Sequence, residues 1–288
     1  MSLENKCIVT CATAGGATRK EQNPAVPYGV KETIEEAVKC YNSGAAVVHL
    51  HVRNDDGFPT YDPKLITEVV QGIRAKCPIL INLSTAIFVG LSPEDRISVV
   101  KNGKPDLASL NSGTMNFGIA DWASGEVRVE FVFENTFSTI KMFNEEMKKA
   151  GTKPELEVYD IGHVDNVLLL QKQKIFDEPL YFQFVFGVAG GITLTPMSFS
   201  HFVNKIPTGS PWSACGVGPF SFKAAFMCAA MGGNVRVGLE DNLYISGKTL
   251  AKGNYELVEK AVQIVRMADR EPATPDEARE ILHLPKRK

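Results

Sequence analysis

The sequence predicts a (β/α)8 TIM barrel forming one domain over residues 1–288, and three observations carry that prediction. Short apolar runs of strand character alternate strictly with longer segments of helical period, about eight times over. The length of 288 residues suits such a barrel. The first strand also lacks the Gly-x-Gly-x-x-Gly turn of an open dinucleotide-binding sheet, reading Ala14-Gly15-Gly16-Ala17-Thr18-Arg19 instead.

Taken in order, the predicted strands occupy residues 6–13, 45–52, 79–85, 107–113, 155–160, 180–188, 212–216 and 235–241. Predicted helices fall between and after them, at 33–42, 63–76, 93–101, 137–150, 164–172, 199–204, 221–231 and 255–268. Asp62-Pro63 and Ser92-Pro93 each set a capping side chain before a proline at the first helical position. Gly44, Gly103 and Gly151 are expected just past helix ends, in left-handed C-caps. Residues 125–133 alternate as a strand of their own, which predicts a small hairpin on the fourth βα loop.

Composition narrows the function classes. Hydrophobic residues make 44% and charged residues 22% of the chain, an ordinary globular mixture. Lys and Arg (31) nearly balance Asp and Glu (33), so the sequence offers no electrostatic footprint for nucleic acid or an anionic membrane. The basic run Lys286-Arg287-Lys288 reads as a solvated end. Six cysteines without a Cys-x-x-Cys pair fit a reducing compartment. No signal-like start or long apolar run appears, and a cytoplasmic location is expected.

The chemistry concentrates at predicted strand ends. In Val47-Val48-His49-Leu50-His51 the two imidazoles are two residues apart and share a face. At a barrel's C-terminal rim they would form half of a metal site; otherwise they would satisfy backbone carbonyls in a polar patch. In the last strand Val235, Val237 and Leu239 alternate with Arg236, Gly238 and Glu240, which sends Arg236 and Glu240 inward. An inward carboxylate needs a cation, supplied either by a metal shared with His49 and His51 or by Arg236 as an ion pair. By the same alternation Asn82, Ser84, Ser109, Asn111 and Glu157 add to a polar cup, with substrate contact assigned to Asn82, Ser109, Asn111 and Glu157. Glu155, next to Pro154, is expected at the solvated bottom of the barrel. Gly191, Gly216 and Gly218 lie in turns after strands six and seven, where bare amides ahead of a helix could hold a phosphate-bearing ligand.

With Thr10-Cys11-Ala12-Thr13-Ala14-Gly15-Gly16, the loop Glu21-Gln22-Asn23-Pro24-Ala25-Val26-Pro27, His49-x-His51-Val52-Arg53 and Gly238-Leu239-Glu240-Asp241-Asn242, the chain resembles the β-keto acid cleavage enzymes over essentially its whole length. The resemblance implies a zinc-bearing barrel that exchanges groups between a β-keto acid and acetyl-CoA, giving acetoacetate and a new acyl-CoA. It places the metal ligands on His49, His51 and Glu240, the catalytic carboxylate on Asp241, its arginine on Arg236 and a third-strand serine on Ser84. CoA contact falls on Gly191, Gly216 and Gly218, and a homotetramer is implied. Family members acting on amino-bearing substrates carry an acid in the first loop where this chain has Ala17; Glu157 is the negative charge left to supply.

Two other readings compete. A metal-dependent hydrolase of the amidohydrolase type also uses His-x-His in a barrel but needs further histidines on later strands; only His163, His201 and His283 remain. A non-catalytic metal- or CoA-binding protein has no use for Asp241 beside Glu240.

Overall fold

Apolar residues recur at every second position of the strands, and closing the sheet turns those positions outward onto the helices. The computed structural model describes residues 3–285, and the basic run Lys286-Arg287-Lys288 lies outside them. Eight parallel strands close into a barrel: β1 (Val9–Ala12), β2 (Val47–Leu50), β3 (Leu80–Leu83), β4 (Leu107–Asn111), β5 (Lys153–Val158), β6 (Phe182–Phe186), β7 (Trp212–Gly216) and β8 (Asn234–Val237). Each pairs with its sequence neighbours, and β8 closes on β1 through Val235 with Val9 and Arg236 with Thr10.

The helices that follow them are α1 (Gly29–Asn42), α2 (Pro63–Lys76), α3 (Pro93–Gly103), α4 (Phe137–Ala150), α5 (Ile161–Gln171), α6 (Pro196–Lys205), α7 (Ser221–Ala230) and α8 (Asn254–Met267). Asp62 and Ser92 cap α2 and α3 by accepting from Lys64 N and Asp95 N. Gly151 is the left-handed C-cap of α4. Gly103 is instead the last residue of α3, and Lys104 takes the left-handed turn at φ 44°. Packing explains the glycine, because a Cβ there would stand 2.7 Å from Leu83 Cδ1. Outside β6, Phe184 stacks on Phe202 and Trp212, and each such ring contributes about 1.5–3 kcal/mol through burial.

Three additions dress the barrel. Met115–Asp121 and Glu126–Phe133 form an antiparallel hairpin after β4, longer than the predicted 125–133 because its first strand also belongs to it. At the opposite end, Lys6–Cys7 pairs with Glu271–Pro272, and α9 (Pro275–Ile281) follows. Ala273, Ala278, Leu282 and Leu284 then pack against Ile8, Val47, Leu80, Leu107 and Tyr181, stoppering the barrel floor. A third, smaller pair, Tyr244–Ser246 with Thr249–Leu250, follows β8. Among the described residues no helix is long and apolar enough to cross a membrane.

Candidate metal centre and active site

Interior positions of the strands are unusually polar, and they meet at the C-terminal mouth. His49 stands at the end of β2 and His51 just beyond it, with ring centroids 5.5 Å apart. Each presents Nε2 at 3.7 Å from Glu240 Oε1. One ligand atom from each of the three residues lies within 4.8 Å of the others.

Glu240 reaches this point by a different route from the one its alternation predicts. β8 ends at Val237, not at residue 241, and a turn follows in which Asp241 N and Asn242 N both donate to Gly238 O. Gly238 adopts φ 148° against β1; a Cβ there would fall 2.0 Å from Ala12 O. The turn removes the expected separation of about 13 Å between Arg236 and Glu240 along an extended strand. Arg236 donates through Nε and Nη2 to the two oxygens of Asp241, each at 3.0 Å. The same guanidinium meets Glu240 Oε1 at 2.6 Å and Glu157 Oε1 at 3.3 Å.

Three carboxylates thus converge on one guanidinium in a buried site, leaving an excess of negative charge for a second cation to balance. Glu240 Oε2 and the Nδ1 atoms of His49 and His51 are buried without a hydrogen-bond partner. Two imidazoles and a carboxylate are a donor set that zinc accepts, with positions left open for substrate. The residues therefore fit a divalent metal.

Electrostatics divide the acids into roles. Burial raises Asp241 to about 6, against the pull of Arg236. Burial raises Glu157 further, to about 8, again opposed by Arg236. Burial also works against the Glu240 carboxylate, but Arg236, His49 and His51 hold it well below the ordinary range. Burial keeps His49 neutral by lowering it to about 3, with Glu240 opposing. A neutral imidazole beside an ionised carboxylate is the ligating state of both groups.

The other predicted site residues separate into distinct positions. Ser84 is buried just past β3 and shares a small cavity with His51, Thr60 and Ile87. Asn82 lies deeper, donating to Glu155 Oε2 at 2.7 Å. Glu155 is 1% exposed, so it belongs to the interior and not to a solvated bottom; the floor stopper and Tyr181 shut water out below it. Ser109 accepts from Thr85 N, bracing the loop after β3. Asn111, at the end of β4, is buried with both amide atoms unpartnered. Of the three turn glycines, Gly191 N is engaged by Val188 O and Gly218 N by Asp241 O at 2.7 Å, while Gly216 packs outward against Phe220.

Sequence reasoning missed the residues that hold these groups in place. Arg53 is 1% exposed and donates to the carbonyls of Gly15, Thr18 and Gly57, tying down the loop after β1. That loop crosses Glu240 at Gly15, where a Cβ would stand 2.7 Å from Glu240 Cγ. Asn254 accepts from Leu239 N and donates to Thr13 O, joining the β8 turn to β1. Arg53 continues the alternation of His49 and His51 and, like Gly15, falls in a motif that carries the resemblance, but neither its anchoring role nor that of Asn254 is readable from sequence.

A (β/α)8 barrel whose mouth joins a metal-capable His-His-Glu set to an arginine-held carboxylate defines an enzyme site of the barrel class. The chain matches the family described as beta-keto acid cleavage enzyme over residues 6–284, and it belongs to that family. It is 43% identical over 285 residues to the 3-keto-5-aminohexanoate cleavage enzyme of Fusobacterium nucleatum subsp. nucleatum, covering 99% of this chain and 100% of that one. The 3,5-dioxohexanoate:acetyl-CoA acetone transferase of Paraburkholderia graminis is 33% identical over 302 residues, 99% of this chain and 97% of that one. Among solved structures, the apo structure of ObcA superposes with a TM-score of 0.73 at 20% identity, over 91% of this chain and 66% of that chain, a likeness of fold.

Proposed function

We propose that this enzyme condenses a β-keto acid with acetyl-CoA and releases acetoacetate and a new acyl-CoA, with zinc held by His49, His51 and Glu240. The observation that carries the reading is the placement of Asp241, raised to about 6, next to the Glu240 carboxylate of that ligand set. Bound there, zinc supplies Lewis acidity to the keto and carboxylate oxygens of the substrate.

Asp241 accepts the proton from the carbon between those two groups, and a base titrating near 6 suits the task at neutral pH. Arg236 fixes both Asp241 oxygens, so the carboxylate cannot swing away. The substrate carbanion attacks the acetyl thioester and expels CoA thiolate. The thiolate then attacks the original keto carbon, and the bond between that carbon and its neighbour breaks. Acyl-CoA leaves, and protonated Asp241 returns its proton to acetoacetate. Asn111, with a free donor and acceptor, and Ser84 contact the substrate, while Asn82 and Ser109 act one step back by holding Glu155 and the Thr85 loop. The turns bearing Gly191, Gly216 and Gly218 are assigned to the CoA surface by shape and not by phosphate-binding amides, since Gly191 N and Gly218 N already donate to Val188 O and Asp241 O.

The amidohydrolase reading weakens on position: His163 Nδ1 accepts from Tyr159 N, and His201 lies in α6. The rest of the reading is a cytoplasmic homotetramer whose residues 1–288 form one catalytic domain, which light scattering of the purified protein checks for subunit number.

The test is a set of β-keto acids with carbon-labelled acetyl-CoA, following label into acetoacetate, alongside metal analysis. Label is expected in acetoacetate with one acyl-CoA formed per turnover. Unlabelled products, or hydrolysis of the thioester alone, would remove the proposal.

A further inference from the structure

Below the metal-capable set, the barrel interior holds a line of polar groups that the proposed reaction does not use. His49 on β2 and Asn82 on β3 are register partners, so their side chains leave neighbouring strands toward the same face. Asn82 Nδ2 donates to Glu155 Oε2 on β5 at 2.7 Å. Tyr181, just ahead of β6, makes a side-chain hydrogen bond with Glu155 and shares another, of 2.9 Å, with Ser213 on β7. Every member of the line is buried, and the floor stopper closes it from below.

At its upper end the line meets a ligand. His49 Nε2 is turned to Glu240 Oε1 at 3.7 Å, the side on which a metal would be held. A neutral imidazole carries one N–H, and Nε2 offers a lone pair only when that hydrogen sits on Nδ1. His49 Nδ1 and Asn82 Oδ1 are both buried with no partner elsewhere. The two side chains are within each other's influence: burial lowers His49, and a hydrogen-bonding contact from Asn82 is among the effects that oppose it. Glu155 decides which way the amide faces. Turned over, Asn82 would set its oxygen against the carboxylate and its NH2 against Nδ1, an arrangement that calls for the ring hydrogen on Nε2, where it blocks a metal. As placed, the carboxylate takes the NH2 and leaves the amide oxygen for His49.

We infer that Asn82 and Glu155 are positioning residues of the metal centre: Glu155 fixes the Asn82 amide, and Asn82 accepts the Nδ1 hydrogen of His49, holding the ring in the tautomer that leaves Nε2 free for a divalent cation. This role rests on the ligand set of the proposed function. Outer partners of this kind raise the affinity of a ligating histidine by fixing both its tautomer and its angle.

Zinc affinity, measured by competition with a chromophoric chelator near neutral pH, tests the pair. Asn82→Leu should weaken it by about ten- to a hundredfold. Glu155→Gln keeps the shape but either donates or accepts, which removes the preference between the two amide orientations; its loss should be smaller. Because Glu155 acts through Asn82, the double variant should bind zinc no more weakly than Asn82→Leu alone. In the metal-free protein, long-range proton–nitrogen spectra of the His49 ring should show the Nδ1–H tautomer in the wild type and a mixture in both single variants. Melting curves report folding, and should Asn82→Leu fail to fold, Glu155→Gln carries the same two readouts. A purely structural pair would shift the melting temperature and leave tautomer and zinc affinity unchanged, which overturns the inference and leaves the proposed function standing. Additive losses in the double variant overturn the path through Asn82. Wild-type protein that takes up no zinc removes the ligand set of the proposed function and this role together.

Discussion

The polar cluster around Arg236 and the aromatic cluster around Tyr159 are held by different forces. Around Arg236 position is set by directed bonds: two to Asp241, one each to Glu240 and Glu157, and behind them Arg53 and Asn254 pinning the loops. Around Tyr159 position is set by ring packing and by one backbone bridge between Gly118 and Ala189. Directed bonds fix angles and protonation, which chemistry needs; packing fixes shape, which discrimination needs.

The contrast makes substitutions in the two clusters fail in different ways. Chelation should abolish turnover on every substrate, and added zinc should restore it; full activity in the metal-free protein would contradict the ligand assignment. Asp241→Asn should lower kcat by about 10²–10⁴-fold while metal content stays at the wild-type level, as measured by atomic absorption. Arg236→Met should destabilise the protein by about 3–5 kcal/mol in denaturant titration, since it strands buried carboxylates without their cation. Val185→Ala, in the aromatic cluster, should be the mildest. It should cost about 1–2 kcal/mol in denaturant titration, with metal content intact.

The barrel was legible in the sequence because outward apolar positions recur at a period of two and helices intervene with capped starts. The paired histidines were legible for the same reason, since polar side chains stand out against a strand's alternation. Glu240 was found by a rule that does not apply to it: alternation needs an extended strand, and Gly238 ends β8 before the acid is reached. Glu155 was misplaced because proximity to Pro154 says nothing of what covers the barrel floor, which residues more than a hundred positions downstream provide.

The floor stopper has a consequence for how this protein is made. Ala273, Ala278, Leu282 and Leu284 follow all eight strands in the chain, so on the ribosome every strand emerges before its plug does. Until that last segment docks, water can reach Tyr181 and the Glu155 carboxylate from beneath, and the expense of dehydrating an interior acid is deferred to the end of synthesis. A nascent chain therefore completes its dry interior last, after the cylinder that encloses it.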